Sequence, residues 1–399
     1  MEAPPQTLRE GIRSLPRPVW ILCAGSFVNR FGSFVAVFLV LYLRSRGYSI
    51  AEAGLVVGFY GVGNVVAAGA GGWVADRFGR RNAIALSMFS SAATLLALSQ
   101  AEWLPLIMAL TLLAGLTGEM YRPASSALLT DLTPPGDRLP AFALNRLAIN
   151  LGFAVGPATA GLLAERSFFL IFLGDAITSV VFGVIALVAL PEGVRSRRGE
   201  ERRGEAVRTM LRDRAFALFL VASVLGAFVY FQGQTTFPLH VTESGLSNSD
   251  YGLLISLNGI AIVFLELPLV AITRRFAARP VLALGSLLVG LGFALNALAN
   301  DLPELALTVM IWTLGEIVYA PVASAYVADI APEHLRGRYA GAWGLTWGLA
   351  FVAAPVLGSA VFAWNQNALW LLCGLLGVAA ALLLTATPEQ APEKSPSAV

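Results

Sequence analysis

Lysine is almost missing from this chain: the single one, Lys394, lies in the C-terminal tail. Charge of either sign is scarce. Asp, Glu, Lys and Arg together make up 13% of the 399 residues, whereas hydrophobic residues reach 57% and the mean hydropathy is +0.71. Soluble domains carry about 25% charged residues, so a soluble fold is excluded and an integral membrane protein is expected. The two cysteines, Cys23 and Cys373, fall inside apolar runs, which excludes a disulfide framework and leaves packing as their role. The two histidines, His240 and His334, have no carboxylate or cysteine at ligand spacing, so no metal centre and no cofactor are expected. A G-x-x-x-x-G-K-[ST] loop is absent, which argues against ATP-driven work, and no basic block interleaved with aromatics points to nucleic acid. The N-terminus lacks a short apolar segment followed by a small-residue cleavage site, so its first hydrophobic run reads as a retained helix.

What is present is a repeat. Residues 315–329, GEIVYAPVASAYVAD, echo 118–131, GEMYRPASSALLTD, with one residue fewer near the start of the earlier copy. From the tyrosine onward the spacing is constant: Tyr121 and Tyr319, Pro123 and Pro321, Asp131 and Asp329, Arg138 and Arg336, and Pro157 and Pro355 all differ by 198, close to half the chain. A half-length repeat in so apolar a chain predicts two similar bundles about a pseudo-two-fold axis. A span needs about 20 apolar residues. Twelve are expected, at roughly 19–43, 51–74, 82–101, 104–130, 139–164, 168–190, 214–240, 250–273, 281–299, 304–329, 338–363 and 368–386, with ends uncertain by about 2–4 residues. The fold class is therefore an all-α membrane protein: two pseudo-symmetric six-helix bundles, 1–190 and 214–399, joined by a polar linker, 191–213.

Arginine sets the orientation. The side holding the termini and linker carries Arg9, Arg13, Arg17, Arg77, Arg80, Arg81, Arg138, Arg274, Arg275, Arg279, Arg336, Arg338 and the linker arginines; the other has only Arg44, Arg46 and Arg166. Both termini are expected in the cytoplasm. The opposite side is acidic, with Glu52, Glu102, Glu165, Glu243, Asp250, Asp301 and Glu304.

Between spans 2 and 3 the chain reads Gly72-Trp73-Val74-Ala75-Asp76-Arg77-Phe78-Gly79-Arg80-Arg81. Gly72 and Gly79 permit close helix approach and a tight turn, Asp76 can face a helix N-terminus, and the arginines can pair with Asp131 at the end of span 4. This stretch fits G-x-x-x-D-R-x-G-R-R at every defined position, and with twelve spans, two halves and a central linker the chain resembles the major facilitator superfamily over nearly its whole length. The resemblance implies a transporter of small molecules embedded in a bacterial-type inner membrane, working by alternating access and functional as a monomer. It also implies that this loop latches the bundles together on the cytoplasmic side while the other side is open. The corresponding loop of the second half, Arg274-Arg275-Phe276-Ala277-Ala278-Arg279, lacks the aspartate and glycine. Span 5 contains Gly152, Gly156, Pro157 and Gly161, and its run GPATAG is similar to the G-P-x-x-G-G element of the superfamily's drug antiporters; Ala160 departs from it, the glycine expected farther upstream is absent, and close helix packing explains the small residues nearly as well.

Intramembrane charge marks candidate chemistry, because an acid or base there is costly to keep without a role. The first half holds Arg30, Glu119, Arg122, Arg146 and Asp175; the second holds Glu266 and Glu316, with no base at mid-membrane depth. Arg30 needs a permanent counter-charge, and Glu119, at matching depth and three residues from Arg122, is the expected partner. Asp175, in a span peripheral in the superfamily, either turns inward to an arginine or serves packing. Glu266, just before Pro268, reads as a second acid or as an interfacial one. Glu316 has no basic partner in its half and can exchange a proton for a cationic substrate, since either one neutralises it. The words TLGEIVYAP resemble span 10 of proton-driven multidrug exporters of the superfamily, where the matching glutamate is tied to coupling. Those exporters can carry an acid near the start of span 5, where this chain has Asn145 and Arg146. The family's pathway-lining spans add Asn29, Tyr121, Tyr230, Gln232, Gln234 and Tyr319 as cavity candidates, with Asn258 from span 8, although packing hydrogen bonds are an equal explanation. Trp343 and Trp347 share one face of span 11 and serve either an interfacial belt or stacking on a lipophilic cation.

Two functions compete. One is proton-coupled export of hydrophobic, cationic compounds, with Glu316 as the coupling acid. The other is carriage of an anionic metabolite or amphipathic lipid, met by Arg30, Arg122 and Arg146. A non-transporting membrane sensor has no dedicated domain in its favour.

Overall fold

The computed structural model describes residues 8–193, 210 and 213–386; most of the 191–213 linker and Lys394 lie outside that range. Among the described residues, twelve helices are long and apolar enough to cross a membrane. Spans 1 to 6 are Arg17–Ser45, Ile50–Phe78, Arg80–Gln100, Leu104–Leu132, Arg138–Arg166 and Phe168–Ala189. Spans 7 to 12 are Arg214–Thr235, Asn248–Thr273, Ala278–Leu295, Leu302–Ile330, Glu333–Trp364 and Gln366–Thr385. All twelve expected spans are found. The repeat reaches further than the motif that revealed it. Ser49 accepts from the backbone N–H of Glu52 while Glu52 bonds back to Ser49, and Ser247 with Asp250 forms the same reciprocal box at the start of span 8. The two caps satisfy equivalent helix N-termini, 198 residues apart in the chain.

Three spans are not straight. Span 1 is two helices, Arg17–Phe31 and Phe34–Ser45, broken at Gly32-Ser33. Span 4 is divided at Met120, where Pro123 cannot donate to the Glu119 carbonyl. Span 7 ends at Thr235, not near 240 as expected, because Pro238 opens a separate short helix, Phe237–Glu243.

The hydrophobic core tells which way the molecule opens. Away from the linker, one buried cluster takes residues from both halves, including Phe38, Val57, Tyr251, Phe293 and Trp370. Towards the linker the core splits into two separate clusters, one around Leu22, Met88 and Phe182, the other around Phe219, Tyr326 and Tyr339. Glycine spacing repeats the message along spans 2 and 11. A Cβ on Gly58 would lie 2.7 Å from Val356 and one on Gly61 2.7 Å from the Phe351 carbonyl. Beside Gly69 and Gly72, and beside Gly337, Gly341 and Gly344, there is open space. Spans 5 and 8 are likewise pressed together at their far ends: the same construction at Gly161 meets the Asn248 carbonyl at 2.8 Å. Tyr251 fastens this far seam, its hydroxyl 3.2 Å from the carbonyls of both Val37 and Gly233 and its ring edge-on to Phe38. The structure is closed on the far face and parted towards the linker.

The GPATAG run and Gly152 one turn before it are a packing device. Gly152 and Gly156 abut span 1, with added Cβ atoms 2.8 Å from the Phe27 carbonyl and 2.5 Å from the Phe31 carbonyl, while Gly161 abuts span 8. Backbone atoms cannot yield as a side-chain tip can. Gly156→Val is therefore expected to destabilise the protein by about 1–3 kcal/mol, read as a lower unfolding midpoint in detergent; an unchanged midpoint would remove the packing account.

Candidate functional site: an acid in an aromatic cavity

Glu316 sits on span 10 among neutral donors. Tyr230 donates its hydroxyl to Oε1 at 3.3 Å, and Asn258 donates its amide to Oε2 at 3.0 Å while also reaching Thr313 Oγ1 at 3.0 Å. Among the described residues no guanidinium comes within 4.0 Å of it. Beside the carboxylate lies a cavity of about 80 Å³, walled by Tyr230, Tyr319, Trp347, Val289 and Ala227. Tyr319 is steadied by Ser223, 3.1 Å away. The structure separates the two tryptophans: Trp347 is a wall of this cavity, whereas Trp343 packs on Phe219 at 6.2 Å. Aromatic contacts continue outwards. Trp347 lies 5.5 Å from Tyr230 and 5.9 Å from Phe231, Phe231 stacks on Phe351 at 4.5 Å, and Phe351 meets Tyr60 of span 2 at 5.9 Å. Five rings thus run from the Glu316 carboxylate to the other half. Such a wall suits a flat, apolar or cationic guest.

The first half is arranged differently from expectation. Glu119 pairs with Arg122 at 3.0 Å, not with Arg30. The three-residue spacing across the Met120 break keeps the two on one face, and proximity within the helix wins over matching depth between helices. Among the described residues Arg30 has no carboxylate within 4.0 Å, and its Nε is buried without an acceptor. Asp175 turns inward to within electrostatic reach of Arg30, forms no ion pair with it at 4.0 Å, and does more than pack. Its Oδ2 accepts the backbone N–H of Val35 at 3.2 Å, capping the outer helix of span 1 where that span is broken. Sequence reasoning missed this because span 1 reads as one continuous apolar run; the Gly32-Ser33 pair was the only signal. Asp175, Glu119, Asn29 and Tyr60 line a second, smaller chamber of about 30 Å³. Asn29, also 3.2 Å from the Met88 sulfur, belongs to this chamber and not to the Glu316 cavity.

Other expected cavity residues are elsewhere. Tyr121 is 3% exposed and packs edge-on against Phe182 in the core of the first half. Gln232 is fully buried, its amide spent on the Phe228 and Ala354 carbonyls and on Thr235 and Thr236. Gln234 lines neither cavity. Glu266 pairs with Arg146, tying span 8 to span 5 across the halves. That pair was also missed, since nothing in either span alone shows that the two lie side by side.

The loop between spans 2 and 3 engages its own half. Arg80 pairs with Asp131, as the sequence suggested, and donates to the Ala127 carbonyl at 2.7 Å. Arg81 pairs with Glu192 at 3.0 Å. Arg77 lies over Trp73 at 5.2 Å. Gly79 has φ of 86°, a turn that other residues adopt only with strain. Asp76 makes no hydrogen bond to a neighbouring helix.

Twelve membrane-length helices in two repeat-related sets, each set holding a cavity with a carboxylate in its wall, define a membrane transporter. The chain belongs to the Major Facilitator Superfamily, whose model matches residues 22–248 and 235–399. It is 29% identical to an uncharacterised MFS-type transporter, YqjV, of Bacillus subtilis, with 85% of each chain covered. It is 25% identical to a Na(+), Li(+), K(+)/H(+) antiporter of Planococcus maritimus (83% of this chain, 86% of the relative) and 28% identical to multidrug resistance protein MdtH of Aeromonas hydrophila (92% and 94%). Among solved structures, the nucleoside transporter NupG superposes with a TM-score of 0.82 over 94% of this chain and 100% of its own, at 16% identity.

Proposed function

We propose that this protein exports hydrophobic, cationic compounds from the cytoplasm in exchange for protons, by alternating access across a bacterial-type inner membrane and as a monomer. The observation that carries the reading is the setting of Glu316. A carboxylate held only by Tyr230 and Asn258, in a cavity walled by rings, can be neutralised by a proton or by a bound cation but not by a resident base. Occupancy by one excludes the other, which is the requirement for exchange. The arginine bias supports cytoplasmic termini and linker, which makes the parted face the loading face in this reading. The bundles 1–190 and 214–399 then rock about the contacts of spans 2 with 11 and 5 with 8. Relatives named as a multidrug resistance protein and as a cation/proton antiporter support the class of substrate and the exchange.

Arg30 favours a second reading. With no carboxylate within 4.0 Å, it could meet the negative end of an anionic metabolite or amphipathic lipid. Reconstituted vesicles holding a pH-sensitive dye separate the two. Adding cationic, neutral and anionic compounds in turn is expected to move protons for lipophilic cations such as tetraphenylphosphonium. Proton movement with anions only, lost in Arg30→Ala, would replace the first reading with the second.

A further inference from the structure

The chamber in the first half is built for more than packing. Two carboxylates, Asp175 and Glu119, share it with the hydroxyls of Ser91, Ser179 and Tyr60. Ser91 is 4% and Ser179 1% exposed, yet neither hydroxyl makes a hydrogen bond, although serines in helices readily bond back to a preceding carbonyl, as Ser90 does here to Leu86. Two unpartnered hydroxyls of buried serines, facing about 30 Å³ of space beside two acids, describe a polar void with room for about two waters, each needing about 10–15 Å³. No basic side chain lines it. One of its acids also holds a moving part: Asp175 anchors the Val35 N–H at the head of the helix that follows the break in span 1.

We propose that this chamber is a second proton-binding site, seated on Asp175, whose occupancy sets the bend of span 1. A hydronium ion in the chamber gives its proton to the Asp175 carboxylate, leaving a neutral acid and a water. The bond from Val35 N–H then changes from charge-assisted to neutral, and such bonds differ about twofold in strength. The outer helix of span 1 is released to re-angle at Gly32-Ser33. That helix contacts the second half on the far face, through Val37 and Phe38 with Tyr251, so its angle bears on the far seam. The groups facing Asp175 are Arg30 on span 1, Tyr60 on span 2, Ser91 on span 3 and Glu119, with its partner Arg122, on span 4.

The test follows the separation of spin labels at the linker-face ends of spans 2 and 11, in the full chain in nanodiscs without substrate, as pH is lowered. The wild type is expected to shift in two steps. Glu316→Gln is expected to keep the step that belongs to Asp175, Asp175→Asn to keep only the other, and the double variant to be flat. Ser91→Ala with Ser179→Ala, which leaves both carboxyls in place, removes the groups that hold water around the anion. It is expected to move the Asp175 step to higher pH. A flat response in Glu316→Gln overturns the proposal, as does a wild-type response in Asp175→Asn or an unmoved midpoint in the double-serine variant. A sodium-dependent shift at constant pH, abolished by Asp175→Asn, would overturn it in favour of a metal cation. Loss of the Glu316 step alone would instead sink the exchange reading and leave this one standing.

Discussion

Glu316→Gln is expected to abolish accumulation of a lipophilic cation against its gradient while the protein still folds. The amide fills the same space and can keep bonds to Tyr230 and Asn258, so packing changes little. What it cannot do is change charge. A cation in the cavity then has no counter-ion, and two unit charges about 4 Å apart are worth about 4 kcal/mol at an effective dielectric of 20, roughly a thousandfold in affinity. The gradient also loses its handle. A proton falling through about 150 mV yields roughly 3.5 kcal/mol, which would sustain a solute ratio of about 300-fold; without a titrating group the ratio falls to one. Uptake of tetraphenylphosphonium into inverted vesicles with an imposed pH gradient reads both effects. Wild-type accumulation in the variant would dismiss Glu316 as the coupling group.

Trp347→Ala is expected to weaken binding of an aromatic or quaternary cation by about 30-fold, with Trp343→Ala close to wild type. The asymmetry comes from placement. Trp347 faces the carboxylate across the cavity and meets Tyr230 and Phe231, so its loss removes a desolvated cation–π partner worth about 2 kcal/mol. Trp343 leans on Phe219, away from that space. Equilibrium binding of a radiolabelled cation to purified protein distinguishes them; equal losses in both would show that the pair acts through the stability of span 11 and not through contact with the guest.

The fold was legible because a membrane leaves few choices. Runs of about 20 apolar residues can only be helices that satisfy their own backbone, and a repeat offset of 198 residues then pairs the halves. Glu316 was legible for a related reason: an acid with no base in its own half stands out by composition alone. The failures share a cause of their own. The Arg146–Glu266 pair, the Glu119–Arg122 pair and the cap from Asp175 to Val35 depend on which helix faces which and on where helices break. Depth along a span can be counted from its ends, but rotation about its axis cannot when the span is apolar all round. Tyr121 and Gln232 were misplaced in this way: each lies in a pathway-lining span but on the face turned from the pathway.

The far seam has a consequence for how the transporter turns over. Among the described residues no ion pair crosses it; it is made of glycines against carbonyls, a few hydrogen bonds and rings. Charge crosses it only where the Glu165 carboxylate accepts the Ser249 N–H and where Arg44 attracts Glu243, so the barrier to outward opening should depend weakly on ionic strength and chiefly track temperature and bilayer composition.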